Sequence, residues 1–110
     1  MTRTPLQAAT AWYDAVHSGD FDALFDVMAD DCVVEFYGPS SIPFAGIFKG
    51  KEKCKTFFGH VANDVDILEF SQTEFISERD KVAVTGRLTM DLKETGRRYS
   101  ADYAHILTVK

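Results

Sequence analysis

The residue in this sequence best suited to acid–base chemistry is His105. It stands in ADYAHILTVK, where Tyr103, His105, Leu107 and Val109 alternate with Asp102, Ala104, Ile106 and Thr108. Such alternation places successive side chains on opposite faces of a strand, so this imidazole shares a face with apolar neighbours. Burial disfavours the charged ring and keeps it neutral at pH 7, ready to hydrogen-bond an oxygen on a ligand. A phenol would complement it. Tyr13, beside Trp12, and Tyr103 both offer a hydroxyl. His105 and Tyr13 are therefore the candidate catalytic groups. The alternative is a core or rim histidine satisfied by a tyrosine or a backbone carbonyl. His17 and His60 fall near helix ends and read as exposed.

Other chemistries find little support. Cys32 and Cys54 make no CxxC motif, and Cys32 lies in an apolar stretch, so both read as small buried hydrophobes rather than a disulfide or metal ligands. Asp30-Asp31 reads as a turn, and neither a metal nor a cofactor is expected. The net charge is −5, and the longest cationic cluster is KGKEKCK, which lacks the basic stripe that nucleic-acid binding requires. No apolar run has the length of a signal peptide or a membrane span, so no membrane partner is expected and a reducing cytoplasm is the default location.

The elements that must position His105 follow from pattern. Thr4-Pro5 opens a first helix, LQAATAWYDAVHS, with Ala8, Ala9, Trp12, Ala15 and Val16 on its inner face and Gly19 as its left-handed cap. Asp20 caps a second helix, FDALFDVM. CVVEFY reads as a strand, GPSSIP as a loop and FAGIFKG as a short extended piece. KEKCKTFFGHVAND reads as a third helix with Cys54, Phe57, Phe58 and Val61 inward. Three long strands close the chain, with turns near Arg79-Asp80 and at Glu94-Thr95-Gly96. The order is helices first and an antiparallel meander last, an α+β arrangement in a single domain over 1–110. Nine phenylalanines within an aromatic share of 13% can fill a core or line a greasy cavity.

A two-residue turn at Thr95-Gly96 would set Leu88 opposite Tyr103 and Gly86 opposite His105. One face then carries Val82, Val84, Leu88, Met90, Leu92, Tyr99, Tyr103, His105 and Leu107 and meets the helices. The other carries Thr85, Arg87, Thr89, Asp91, Ser100 and Asp102. A polar ring facing a bare glycine under a roof that includes Trp12 would build a small-ligand pocket. Arg87 with Asp91 or Asp102 would be a cross-strand ion pair on the outer face.

The succession AWYDAVHSGDFDALFDVMADDCVVEF, IPFAGIFKGKEKCKTFF and TGRRYSADYAHILTV resembles the SnoaL-like, ketosteroid-isomerase-like branch of the nuclear-transport-factor-two-like superfamily, over nearly the whole chain. The resemblance implies a cone: a curved antiparallel sheet wraps against three helices around an apolar pocket. It implies a homodimer, in many members through the outer sheet face. It also implies a turn and one more strand after LTVK. The sequence is either a piece that stops short of that strand or a shorter variant, and in the second case the edge of the final strand would be unpaired and a partner copy would cover it. Members include isomerases, polyketide cyclases, dehydratases, epoxide hydrolases and non-catalytic binders. In the isomerases a tyrosine, an aspartate base and a protonated acid do the chemistry. Here the tyrosine position falls on Trp12 with Tyr13 one step away, the base position on Phe36, and the late acid on His105. With Phe36 in place of a carboxylate, steroid isomerisation by that route is not expected.

The resulting expectation is a pocket for a small apolar molecule, either a cofactor-free isomerase, cyclase or hydrolase or a non-catalytic binding or dimerisation domain. His105 and Tyr13 would carry any chemistry. Trp12, Phe36, Phe44, Phe58, Gly86, Leu88, Met90 and Tyr103 would line the wall, or serve as ordinary core.

Overall fold

The computed structural model of the chain describes residues 3–37 and 45–109. Helix α1, Pro5–Ser18, starts on a capping box. The Thr4 hydroxyl accepts from the Gln7 backbone at 3.2 Å, and the Thr4 backbone donates to the Gln7 side chain at 2.9 Å. It ends at Gly19, whose φ of 70° lets its N–H reach back to the last helical carbonyls. Asp20 caps α2, Phe21–Val27, by accepting from the Ala23 backbone. Strands β1, Val33–Phe36, and β2, Gly46–Lys49, form an antiparallel pair that leads directly into α3, Lys51–Asp64.

The second sheet is a curved meander in the order β3-β4-β5: β3, Val65–Glu78; β4, Lys81–Leu92; β5, Arg98–Thr108. The expected α+β order, helices first and a curved antiparallel sheet last, is the one observed. Curvature has an identifiable source. The pairing of β3 with β4 slips between Ile67 and Glu69 and again between Gln72 and Glu74. Each bulge adds an unpaired residue, increases the local twist and reverses which residues face inward. Without the bulge at Thr73, the residue opposite Val84 would not be Phe75.

The β4–β5 register corrects one expectation. Leu92, not Glu94, pairs with Arg97, because a four-residue loop, Lys93 to Gly96, joins the strands. The Gly96 N–H donates to the Leu92 carbonyl at 2.7 Å, and the Leu92 N–H donates to the Arg97 carbonyl at 2.8 Å. Gly96 takes φ 73°. The shift is two residues, so inward and outward faces are preserved. The partners change: Gly86 lies opposite Tyr103, His105 opposite Val84, and Leu88 opposite Ala101.

The helices cover the inner face of this sheet through two connected cores. The larger joins Ala15, Leu24, Phe57, Phe58, Val65, Met90 and Leu92; the smaller joins Ala9, Tyr13, Val82 and Val84. Trp12 packs against both. Burying each large side chain contributes about 1.5–3 kcal/mol, so these contacts dominate the stability of the helix-on-sheet arrangement. On α1, Tyr13 is the deepest aromatic at 2% exposure, while Trp12 is only half-buried. The inner face of that helix is thus rotated slightly from the one the apolar spacing suggests.

Candidate functional site

His105 stands on β5 with its ring on the inner face, half-buried. Its Nδ1 lies 2.7 Å from the Tyr13 hydroxyl, across 92 residues of sequence. The two rings are parallel within 5°, with centroids 6.0 Å apart. The Tyr103 ring is closer still to the imidazole, at 4.2 Å. Phe70 of β3 and Phe75 beyond its second bulge flank the phenol of Tyr13 at 5.9 and 5.8 Å. The histidine therefore sits in an aromatic shell assembled from α1, β3 and β5.

That shell sets its proton chemistry. Burial pushes the His105 pKa down to about 4, so the ring is neutral at pH 7. Burial, with a smaller contribution from Tyr103, raises the Tyr13 hydroxyl well above its ordinary value, so the phenol keeps its proton. Two tautomers satisfy the contact. If the phenol donates to Nδ1, the ring hydrogen sits on Nε2; if Nδ1–H donates to the phenol oxygen, Nε2 offers a lone pair. No buried side-chain nitrogen or oxygen among the described residues lacks a partner, and Nε2 makes no hydrogen bond to another described residue, so that nitrogen is not fully enclosed.

Tyr103 is committed elsewhere. Its hydroxyl donates to the Ser71 carbonyl at 2.7 Å and accepts from Gln72 Nε2 at 3.0 Å. Gln72 Oε1 in turn meets His17 Nε2 at 2.7 Å. Gly86 allows this crossing. A Cβ there would collide with the Ser71 carbonyl oxygen and lie 2.5 Å from the Tyr103 hydroxyl oxygen. The glycine thus makes room for the Tyr103 side chain to pass from β5 over β4 to β3, and it does not face His105 as expected.

The structure brings His105, Tyr13, Tyr103 and Gly86 into one group, with Trp12 edge-on to Tyr13 at 4.8 Å. Phe58 and Met90 lie in the larger core, at 8% and 3% exposure. Leu88 and Phe36 are half-buried at its margin, and Phe36 approaches Phe57 at 6.0 Å. Phe44 falls outside the described residues. Asp102 pairs with Arg87 at 3.0 Å on the outer face, and Asp91 with Arg98 at 2.8 Å. Gln72, Ser71, Phe70 and Phe75 do not stand out in the sequence. A glutamine two residues beyond an inward phenylalanine is the available signal for Gln72. An open groove of about 410 Å³ lies elsewhere, between α1 and α2, and includes Arg3, Asp14, Ser18 and Asp26 but none of the expected site residues. Among the described residues no cluster of histidine, cysteine or carboxylate side chains could hold a metal. None of the described helices is long and apolar enough to cross a membrane.

A family model for the SnoaL-like domain matches residues 9–110. The chain belongs to the SnoaL-like domain family. Solved structures agree on the fold. An NTF2-like protein from Burkholderia xenovorans LB400 is 25% identical, with a TM-score of 0.85 over 96% of this chain and 79% of that one. A candidate SnoaL-like polyketide cyclase from Mesorhizobium loti is 21% identical, with a TM-score of 0.76 over 98% and 91% of the two chains. TerC, co-crystallised with polyporic acid, is 24% identical, with a TM-score of 0.72 over 97% and 83%. No curated protein matches the sequence. Of the neighbouring aromatics Trp12 and Tyr13 on α1, it is Tyr13 whose hydroxyl meets His105, and Phe36 ends β1.

Proposed function

We propose that this SnoaL-like domain binds a small apolar or polycyclic molecule against the inner face of its sheet and presents one polar point to it, His105 Nε2. The observation that supports this reading is that His105 Nε2 makes no hydrogen bond to a described residue and is not fully enclosed, while Nδ1 is held by Tyr13 at 2.7 Å. Tyr13, its proton held by burial, donates to Nδ1, and the ring then directs an N–H at a ligand oxygen. A neutral imidazole in that position stabilises negative charge developing on a carbonyl or enolate oxygen. Turnover would be of the cofactor-free isomerase, cyclase or hydrolase type. That TerC has been crystallised with polyporic acid supports a ligand-holding role for this fold.

A second reading, a carrier without turnover, has its own support. No carboxylate of the described residues contacts His105, and an imidazole held near 4 is a weak base at pH 7. Trp12, edge-on to Tyr13, is the sole tryptophan and a direct reporter. Titration with a library of aromatic ketones and phenols should quench it saturably. His105→Ala should weaken the best ligand about tenfold, the loss of one hydrogen bond. Quenching indifferent to that substitution would remove the imidazole from the site. Turnover lost with binding retained would favour the enzyme over the carrier.

We also propose a homodimer. Ile76, Ala83 and Ile106 form one row across the three strands of the outer face, and Ile76 and Ile106 are 60% and 67% exposed. Light scattering that gives a monomer at micromolar concentration would overturn this.

A further inference from the structure

The sulfurs of Cys32 and Cys54 lie 3.4 Å apart, and both are free thiols. Cys54 occupies the first turn of α3 with no exposed surface, and Cys32 precedes β1 half-buried. The Cys54 sulfur also approaches the carbonyls of Cys32 and Phe48 at 3.7 and 3.6 Å, which keeps it aimed at this junction. The backbone there is tied down independently. Gly50 N–H donates to the Cys32 carbonyl at 2.7 Å, and Lys51 N–H donates to the Asp30 carbonyl at 3.0 Å. A sulfur–sulfur bond is about 2.05 Å long, so closing it asks for little movement of either side chain.

We infer that Cys32 and Cys54 are a reversible thiol–disulfide site whose oxidant is a hydroperoxide such as hydrogen peroxide. Cys54 is fully buried and burial raises its thiol pKa, whereas Cys32 is only half-buried, so a peroxide reaches Cys32 first. The Cys32 thiolate attacks one peroxide oxygen. The O–O bond breaks, Cys32 becomes a sulfenic acid, and the released hydroxide leaves as water with the proton that Cys32 gave up. The Cys54 sulfur then attacks the Cys32 sulfur. The S–O bond breaks, and a second water leaves with the Cys54 proton. Two thiols have lost two electrons and two protons, and one peroxide has become two waters.

The bond would enclose β1, β2 and the segment between them. Each cysteine precedes by four residues a candidate wall residue, Phe36 or Phe58. Oxidation would thus fasten the start of β1 to the first turn of α3. The inference stands apart from the ligand reading, because it needs neither a bound molecule nor His105.

The test uses the wild-type chain in hydrogen peroxide, with the same chain unfolded in urea as the control that the oxidant is active. Titratable thiols should fall from two to none. The mass should drop by two hydrogens, and digestion should yield one peptide that joins Cys32 to Cys54. Dithiothreitol should reverse all three changes. Tm should rise by roughly 10 °C through the closed loop, and Cys32→Ser should abolish the rise. Thiols that survive in the folded chain, oxygen added at Cys32 without a cross-link, or cross-linking between chains would each overturn the inference.

Discussion

Replacing Gly86 with alanine tests the central geometric claim, that Tyr103 crosses a bare position to reach β3. In the native register Gly86 lies between Gln72 on one side and Tyr103 on the other. A Cβ would overlap the Ser71 carbonyl oxygen and lie 2.5 and 2.7 Å from the Tyr103 hydroxyl oxygen and Cζ. The phenol can swing aside, but the carbonyl belongs to the β3 backbone and moves only with the ladder. Overpacking of this kind costs about 1–3 kcal/mol. Loss of the Tyr103–Ser71 hydrogen bond adds about 1 kcal/mol. The stiffer unfolded chain of the alanine variant returns about 0.4–1 kcal/mol. The net expectation is a loss of about 2–3 kcal/mol, which for a domain of this length lowers Tm by roughly 10 °C. Urea unfolding followed by circular dichroism measures it, with an unchanged slope as the check that the unfolded state is the same. Gly59→Ala is the control. That glycine lies in α3, and a methyl group there would meet nothing within 4 Å, so alanine should add about 0.5–1 kcal/mol. A Gly86→Ala chain as stable as wild type, beside a stabilised Gly59→Ala, would refute the crossing.

Two further outcomes follow from the same contacts. The His105 pKa falls from 6.5 in the unfolded chain to about 4 when folded, so between those values the unfolded state binds more protons. Stability should be complete above pH 6.5 and decline as pH falls toward 4. The contribution reaches about 3 kcal/mol at 1.36 kcal/mol per unit. His105→Phe should lose that part of the slope, and parallel wild-type and variant profiles in urea midpoints would count against a buried neutral ring. Thr4→Ala removes one half of the capping box and should cost about 1 kcal/mol, measured by the same unfolding curves; no change would mean that the first turn of α1 contributes nothing to global stability.

The parts of this protein that can be read from the sequence are those governed by near neighbours. Thr4-Pro5, Gly19 and Asp20 mark the helix ends because capping is a matter of a few adjacent residues. The alternation in β4 and β5 sorts inward from outward side chains because the strand period is two, and it places His105 inward and Asp102 outward. Cys54, Phe57 and Phe58 are buried as the spacing on α3 indicates. Parity, however, is indifferent to a shift of two residues. Glu94-Thr95-Gly96 suits a two-residue or a four-residue loop, and only the packed sheet chooses between them.

The sequence by itself therefore determined the α+β order, the helix caps and the face on which the late imidazole lies, since each depends on interactions within a few residues. The tertiary structure alone decided that Tyr13 is the partner of His105, that Gly86 serves Tyr103, that bulges at Leu68 and Thr73 turn β3 inward, and that two cysteines meet. These depend on how far the sheet curves and where the helices settle on it. Both are set by the packing of many side chains at once, which no local pattern records.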